Sequence, residues 1–181
     1  MGKHVLLGVT GSIAAYKAAE VARLLMREGD DVSVIMTRSA THFVGELTFR
    51  TLTRRPVGVD MFPESVEWKP EHIAYAERAD VLLIAPCTAN VLAKLALGLA
   101  DDLLSCTALA CAAPVVLAPA MNVKMWDHPA TQANVSTLRE RGAVFVDVGS
   151  GDLACGYQGR GRMASPESVV AAVRSVLVTP G

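Results

Sequence analysis

The fold is decided by residues 4–17, which read His4-Val5-Leu6-Leu7-Gly8-Val9-Thr10-Gly11-Ser12-Ile13-Ala14-Ala15-Tyr16-Lys17. The apolar run up to Val9 is typical of a strand buried on both faces of a parallel sheet. A glycine-containing turn follows and leads into an amphipathic stretch, which predicts a helix up to Glu28. Free N–H groups at such a helix start favour a phosphate. On its own, a tight turn that simply needs glycine explains the motif equally well.

Beyond this unit, apolar runs continue to alternate with helical stretches. The further strands are predicted at residues 31–37, 57–60, 80–85, 114–118 and 143–148, and the further helices at 39–54, 72–79, 88–98, 101–111, 122–141 and 166–177. Alternation of this kind predicts an α/β fold with a doubly wound, Rossmann-like parallel sheet of about six strands in the order 3-2-1-4-5-6. With no linker or repeat, we expect a single domain over residues 1–181.

Composition excludes several classes of partner. The chain has 181 residues, 51% of them hydrophobic and 19% charged, with a net charge of -1, so no electrostatic footprint for nucleic acid is present. The longest apolar run, residues 108–120, is too short to cross a bilayer and contains two prolines, so we expect no membrane partner and a cytoplasmic location. The four cysteines lack zinc spacing, so we expect no metal.

Ligands of doubly wound sheets bind at the carboxyl ends of the strands, where residues 10–13, 37–39, 86–90 and 119–122 form short polar loops. No acid follows the second strand to hold a dinucleotide ribose, and the Ser12 and Thr37 hydroxyls suit a terminal phosphate, so a mononucleotide is favoured over NAD. Asn90 or Asn122 alone is better explained as a helix N-cap. Because two similar motifs end adjacent strands, we favour one ligand that spans the loops.

A glycine-rich stretch near the end reads Gly151-Asp152-Leu153-Ala154-Cys155-Gly156-Tyr157-Gln158-Gly159-Arg160-Gly161-Arg162-Met163. Its glycines predict a mobile or tightly turning loop that could act as a lid. Nearby arginines would stabilise a thiolate at Cys155. A disordered surface loop is the alternative, but such a loop seldom carries Leu, Cys, Tyr and Met. His72 begins a short helix, and a lone histidine is more often structural than catalytic.

Together these segments resemble the homo-oligomeric flavin-containing cysteine decarboxylases over residues 3–163. Residues 119–122 match that family's P-A-M-N motif, and residues 151–163 match its substrate-recognition clamp, G-x-x-x-C-G-x-x-G-x-G-R-M. Residues 86–90 resemble its P-A-S-A-N-T segment, although Cys87 replaces a small residue and Val91 ends the match. With the glycine-containing turn at residues 8–17, four motifs occur in the same order, which makes the resemblance specific.

The resemblance implies flavin mononucleotide (FMN) as cofactor and 4'-phosphopantothenoylcysteine as substrate, with 4'-phosphopantetheine formed for coenzyme A synthesis. It implies that the cysteine side chain is oxidised to a thioaldehyde, that carbon dioxide then leaves, and that the remaining enethiolate is reduced and protonated. The cofactor supplies the redox chemistry, and the protein supplies positioning and proton transfer.

The resemblance also implies roles for individual residues. His72 would act as base in the oxidation, Asn122 would hold the substrate carboxylate, and Cys155 would protonate the enethiolate. Further substrate-binding candidates come from the clamp, where charge favours an arginine near the substrate phosphate: Ala154, Gly156, Arg160, Arg162 and Met163. Candidates for flavin contact are Gly11, Ser12, Ile13, Thr37, Phe43, Thr88, Asn90, Ser105 and Met121.

Family members are trimers, or trimers assembled into larger dodecameric shells, so we expect a homo-oligomer. A synthetase half, fused in many bacterial members, is a possible fused or separate partner. Three rival interpretations remain. A decarboxylase of a precursor peptide's C-terminal cysteine would stop at the enethiol and generally lacks a clamp cysteine. A non-catalytic flavin-binding regulator would carry long acidic extensions, and an NAD-dependent dehydrogenase would place an acid after the second strand.

Overall fold

The computed structural model describes residues 2–62, 71–152 and 158–178. The strands of the main sheet alternate with helices along the chain. The elements in order are β1 (His4–Val9), α1 (Ala15–Arg27), β2 (Asp31–Met36), a 3-10 turn (Ala40–His42), α2 (Glu46–Thr53), β3 (Val57–Gly58), α3 (Glu71–Arg78), β4 (Val81–Cys87), α4 (Ala89–Leu97), α5 (Leu103–Ala110), β5 (Val115–Pro119), α6 (Val123–Trp126), α7 (Pro129–Glu140), β6 (Val144–Phe145), β7 (Gly149–Asp152), β8 (Gln158–Arg162) and α8 (Pro166–Val178).

Strands β1 to β6 form one parallel sheet in the order β3-β2-β1-β4-β5-β6. Strand β1 lies in the middle, where Val5 pairs with Val32 of β2 on one side and with Val81 of β4 on the other. The predicted fold class and strand order are therefore confirmed. The order reverses between β1 and β4, which is where a doubly wound sheet opens a crevice at the carboxyl ends of its strands.

Two hydrophobic cores cover the two faces of this sheet. Along β1, Val5, Leu7 and Val9 belong to the core that includes α1 and α8, whereas Leu6 belongs to the core that includes α4, α5 and α7. Successive strand residues point to opposite faces. Since both faces are covered, every residue of β4 is buried, and the strands appear in the sequence as continuous apolar runs.

Two predicted helices are interrupted. The single helix predicted at residues 122–141 is wrong, because α6 ends at Trp126 and α7 begins at Pro129. Proline has no N–H to continue a helix, and the ring of His128 instead accepts a hydrogen bond from the Ala130 N–H at 3.1 Å. The helix predicted at residues 39–54 is similarly divided into the 3-10 turn and α2, with Gly45 between them in an extended conformation.

The glycine-rich stretch contains regular structure that was not predicted. Strands β7 and β8 pair in an antiparallel fashion, with Gly151 opposite Gly159 and Asp152 opposite Gln158. The prediction of a loop is wrong for these residues. Strand pairing uses backbone groups alone, so a sequence with few apolar side chains can still form a ladder. Residues 153–157, between the two strands, lie outside the described residues.

Candidate functional site

A cleft of about 1050 Å³ opens at the carboxyl edge of the sheet. This is the upper end of the size range of small-molecule sites. Its walls come from the loops after β1, β2, β3, β4 and β5 and from the segment before α5. The lining residues are Thr10, Gly11, Ser12, Thr37, Arg38, Ser39, Val59, Asp60, Met61, Phe62, Thr88, Ala89, Asn90, Val91, Lys94, Asp101, Asp102, Leu103, Ala120, Met121 and Met125.

Thr10 holds two of these loops together. Its side chain is fully buried, and its hydroxyl donates to the Pro86 carbonyl at 2.8 Å. The same hydroxyl oxygen accepts from the Thr88 N–H at 3.1 Å. Pro86 lies near the end of β4 and Thr88 directly follows that strand, so one side chain sets the spacing between the carboxyl end of β4 and the loop after β1.

The loops after β1 and β2 approach each other closely at Gly11. A Cβ atom added to Gly11 would lie 2.5 Å from the Cβ of Ser39, so only glycine fits there without a shift. Thr37 is fixed by its N–H, which donates to the Val9 carbonyl at 3.0 Å, while its hydroxyl accepts from the Ala40 N–H at 3.3 Å. Three predicted contact residues, Gly11, Ser12 and Thr37, are thereby brought to one wall of the cleft.

The loops after β4 and β5 form the opposite wall. The Thr88 hydroxyl caps α4 by accepting from the Val91 N–H at 3.4 Å, so the cap is Thr88 and the Asn90 side chain is exposed at the cleft. The side chain of Asn122 caps α6, where its Oδ1 accepts from the Lys124 N–H at 2.8 Å. Asn122 is half-buried and directly follows the lining residue Met121.

The charges in the cleft are paired with one another. Arg38 forms an ion pair with Asp60. Lys94 forms ion pairs with Asp101 and Asp102, in which its Nζ lies 2.6 Å from a carboxylate oxygen of each. Burial by itself lowers the pKa of Lys94, but the hydrogen bonds that its ammonium group donates to the Asp101 and Asp102 carboxylates outweigh burial and raise that pKa above its ordinary value. Lys94 therefore stays protonated at neutral pH and ties α4 to the start of α5.

Three predicted flavin contacts lie outside this lining. Ser105 is 3% exposed and forms a capping box at the start of α5, in which its N–H donates to Asp102 Oδ1 at 2.8 Å and its hydroxyl accepts from the Asp102 N–H at 3.1 Å. Ile13 and Phe43 are 58% and 49% exposed. Ile13 directly follows the lining residue Ser12, and Phe43 lies four residues after the lining residue Ser39.

The predicted catalytic and clamp residues are distributed more widely. His72 is half-buried in the first turn of α3. Helix α3 connects the parallel strands β3 and β4, and such a crossover helix runs antiparallel to the strands, so its first turn lies towards the carboxyl edge of the sheet. Arg160 and Arg162 are exposed on β8, whereas Met163 is 2% exposed and packs into the core with α1 and α8. The candidates Ala154, Cys155 and Gly156 lie outside the described residues.

Sequence reasoning missed the acidic and basic lining residues. Lys94 follows Asn90 by four residues, which places both on one face of α4, and this spacing could have identified it. Asp102 and Ser105 have the spacing of a capping box, which marks the start of α5 beside the cleft. No comparable signal joins Arg38 to Asp60, because that pair depends on how closely β2 and β3 approach.

The family model named Flavoprotein matches residues 1–178 of this chain. The chain belongs to the flavoprotein family. The resemblance drawn from the four motifs is therefore confirmed at the level of the family. Among curated relatives, the coenzyme A biosynthesis bifunctional protein CoaBC of Bacillus subtilis is 49% identical over 168 residues, which cover 93% of this chain and 41% of that protein. The corresponding protein of Haemophilus influenzae is 42% identical over 95% of this chain and 43% of its own length.

Solved flavoprotein structures share the fold over almost the whole chain. A PPC decarboxylase mutant complexed with pantothenoylaminoethenethiol is 33% identical, with a TM-score of 0.85 and coverage of 97% of this chain and 98% of that one. The FMN binding protein AtHal3 is 34% identical, with a TM-score of 0.82 and coverage of 97% and 96%. The chain spans less than half the length of the curated relatives named above, but nearly all of these structures.

Two kinds of feature are missing from residues 2–62, 71–152 and 158–178. No group of three or more histidine, cysteine, aspartate or glutamate side chains there is arranged to hold a metal ion. In the same residues, no helix has both the length and the apolar character needed to cross a bilayer. The three cysteines that the structure describes, Cys87, Cys106 and Cys111, are free thiols.

Proposed function

We propose that this chain is an FMN-dependent decarboxylase. It removes the carboxylate from the cysteine moiety of 4'-phosphopantothenoylcysteine and thereby forms 4'-phosphopantetheine. The observation that carries the proposal is the cleft itself. It unites the glycine turn, the Thr88–Asn90 segment and the Met121 loop at one edge of a sheet. The same fold at 33% identity occurs in a PPC decarboxylase complexed with pantothenoylaminoethenethiol, and the named curated relatives are coenzyme A biosynthesis proteins.

The cleft fits FMN in size and in chemistry. Its volume of about 1050 Å³ accommodates a mononucleotide with room for a substrate. Hydroxyls of Ser12, Thr37 and Ser39 and the helix start after Gly11 suit a phosphate, while Met121 and other apolar residues suit a flat ring. FMN, when bound, supplies the two-electron oxidation and reduction that the reaction needs.

The chain's own residues would bind substrate and move protons. His72, in the first turn of α3, would accept a proton as the cysteine side chain is oxidised. Asn122, held by its cap to α6 beside Met121, would present its amide to the substrate carboxylate. Cys155 would return a proton to the enethiolate, and an exposed arginine of β8, Arg160 or Arg162, would approach the substrate phosphate.

We also propose that the chain acts as a homo-oligomer, a trimer or a dodecamer of trimers, in the cytoplasm. Large apolar side chains are exposed in the cleft lining, with Phe62 at 87% and Met125 at 49%, and in the segments after β1 and β2, with Ile13 at 58% and Phe43 at 49%. Burial against a second copy would remove this apolar surface from water and close the open side of the cleft. Because the curated relatives are bifunctional and about twice as long, a synthetase partner, fused or separate, is part of the proposal.

The first test is a visible spectrum of the purified protein, followed by anaerobic addition of 4'-phosphopantothenoylcysteine and mass analysis of the product. A flavin spectrum and a product lighter by one carbon dioxide support the proposal. A flavin spectrum with turnover only of peptides ending in cysteine would favour the peptide decarboxylase. A colourless protein that does not take up FMN would refute the proposal.

Two variants separate the proposed proton transfers. Cys155→Ser should still release carbon dioxide but should accumulate the enethiol instead of the saturated thiol. His72→Asn should stop the reaction before carbon dioxide appears, with the flavin spectrum retained. Loss of carbon dioxide release in Cys155→Ser would contradict the role assigned to Cys155.

A further inference from the structure

Strand β8 is attached to the cleft through its backbone. The Met121 N–H donates to the Gly161 carbonyl at 2.9 Å. Gly161 has a φ of +128°, and a Cβ atom added to it would lie 2.5 Å from the Met121 carbonyl oxygen. The chain of β8 therefore passes in direct contact with the loop that carries Met121 and Asn122, and only a residue without a Cβ allows this approach.

A second attachment lies two residues further on and comes from a different part of the chain. The ammonium group of Lys17, on α1, donates to the Met163 carbonyl at 3.1 Å across 146 residues of sequence. Lys17 is half-buried, and Met163 is 2% exposed. A charged donor on a partly buried carbonyl makes a stronger hydrogen bond than a neutral donor would.

We infer that Lys17 is a positioning residue for the hairpin of β7 and β8: its ammonium group holds the end of β8 at Met163, so that Gly161 stays seated on the Met121 loop. The inference rests on the proposed function in one respect, since the hairpin is the segment assigned to substrate recognition. Lys17 touches no reacting atom in this scheme. It acts through the backbone position of the two residues that flank Arg162.

The electrostatic surroundings agree with this assignment. Burial and the neighbouring Arg162 lower the pKa of Lys17, while Glu20, one turn along α1, opposes them. The ammonium group of Lys17 therefore lies beside a like charge at the position from which it donates to the Met163 carbonyl. If Lys17 served only the packing of α1, an uncharged side chain of similar length would perform equally well.

The test compares Lys17→Met, Lys17→Arg and a matched control, Arg23→Met, which removes a cation from an exposed position on the same helix. The first readout is amide hydrogen exchange by mass spectrometry on the flavin-loaded protein. Lys17→Met removes one charge-assisted hydrogen bond, so we expect the amide exchange rate of residues 158–163 to rise about tenfold. Arg23→Met should change that rate little, and Lys17→Arg should give an intermediate rate. The second readout is steady-state kinetics, where KM should rise about tenfold with kcat nearly unchanged.

Unchanged exchange in residues 158–163 would overturn the inference. An equal rise in exchange throughout the sheet would also overturn it, because that pattern means general destabilisation. An unchanged KM in an active enzyme would overturn the positioning role. If the wild-type protein turns over no substrate, the proposed function has failed, and the exchange experiment still decides whether Lys17 holds the hairpin.

Discussion

Replacing Thr10 with valine tests whether one hydroxyl joins the loops after β1 and β4. Valine has nearly the same shape, so the change removes the hydroxyl without opening a cavity. It leaves the buried Pro86 carbonyl and the half-buried Thr88 N–H without their partner. Each buried polar group left unsatisfied costs about 1–3 kcal/mol. Because Thr88 is only half-buried, we expect the free energy of unfolding to fall by about 2–4 kcal/mol in total.

The assay is urea unfolding of the flavin-loaded protein, with FMN affinity measured in parallel by fluorescence quenching. A loop that shifts at Thr88 should weaken FMN binding along with stability. The matched control is Thr107→Val. Thr107 is also fully buried, but its hydroxyl donates at 2.7 Å to the Leu103 carbonyl, which lies four residues earlier in α5 and keeps its helical hydrogen bond. The control should therefore cost less than about 1 kcal/mol.

Equal losses in the Thr10 and Thr107 variants would refute this reasoning, because they would show that the cost belongs to any buried threonine. Unchanged stability in Thr10→Val would refute it as well, since it would mean that water or a shifted loop satisfies both backbone groups. A loss of stability with unchanged FMN affinity would separate the fold from the site and remove Thr10 from the account of cofactor binding.

Two further predictions concern the hairpin and acid stability. Gly161→Ala should lower the free energy of unfolding by about 2–4 kcal/mol and raise KM, because it adds a clash with the Met121 carbonyl to the strain of a positive φ. Gly142→Ala, at φ +89° in open space, should lower it by only about 1–2 kcal/mol. Denaturant unfolding of both variants measures the difference. Burial alone would raise the pKa of Asp31, but hydrogen bonds led by that from Arg55 lower it below its usual 3.8. The stabilising contribution of the Asp31 carboxylate is therefore complete at neutral pH and is lost as the pH falls below about 4. The difference in unfolding free energy between wild type and Asp31→Asn should shrink between pH 7 and pH 3. A difference that stays constant with pH would contradict this role of Asp31.

Local patterns in the sequence determined the architecture. Buried parallel strands need unbroken apolar runs, and the crossover helices between them need amphipathic spacing, so the alternation of the two predicted a doubly wound sheet. The order 3-2-1-4-5-6 is expected because it is a common order of such sheets, and the structure has it. The same reasoning located the carboxyl-edge loops. As a result, Gly11, Ser12, Thr37, Thr88 and Met121 could be selected as candidates before their positions were known, and all of them line the cleft.

Only the tertiary structure decided which side chains meet. The pairing of Arg38 with Asp60 and the bond from Lys17 to Met163 join segments that are distant in sequence, and no local pattern encodes such distances. Met163 belongs to a clamp motif, yet its side chain is buried in a core, because burial depends on what packs above a residue. The β7–β8 hairpin was also hidden, since strand pairing satisfies backbone groups that every sequence carries.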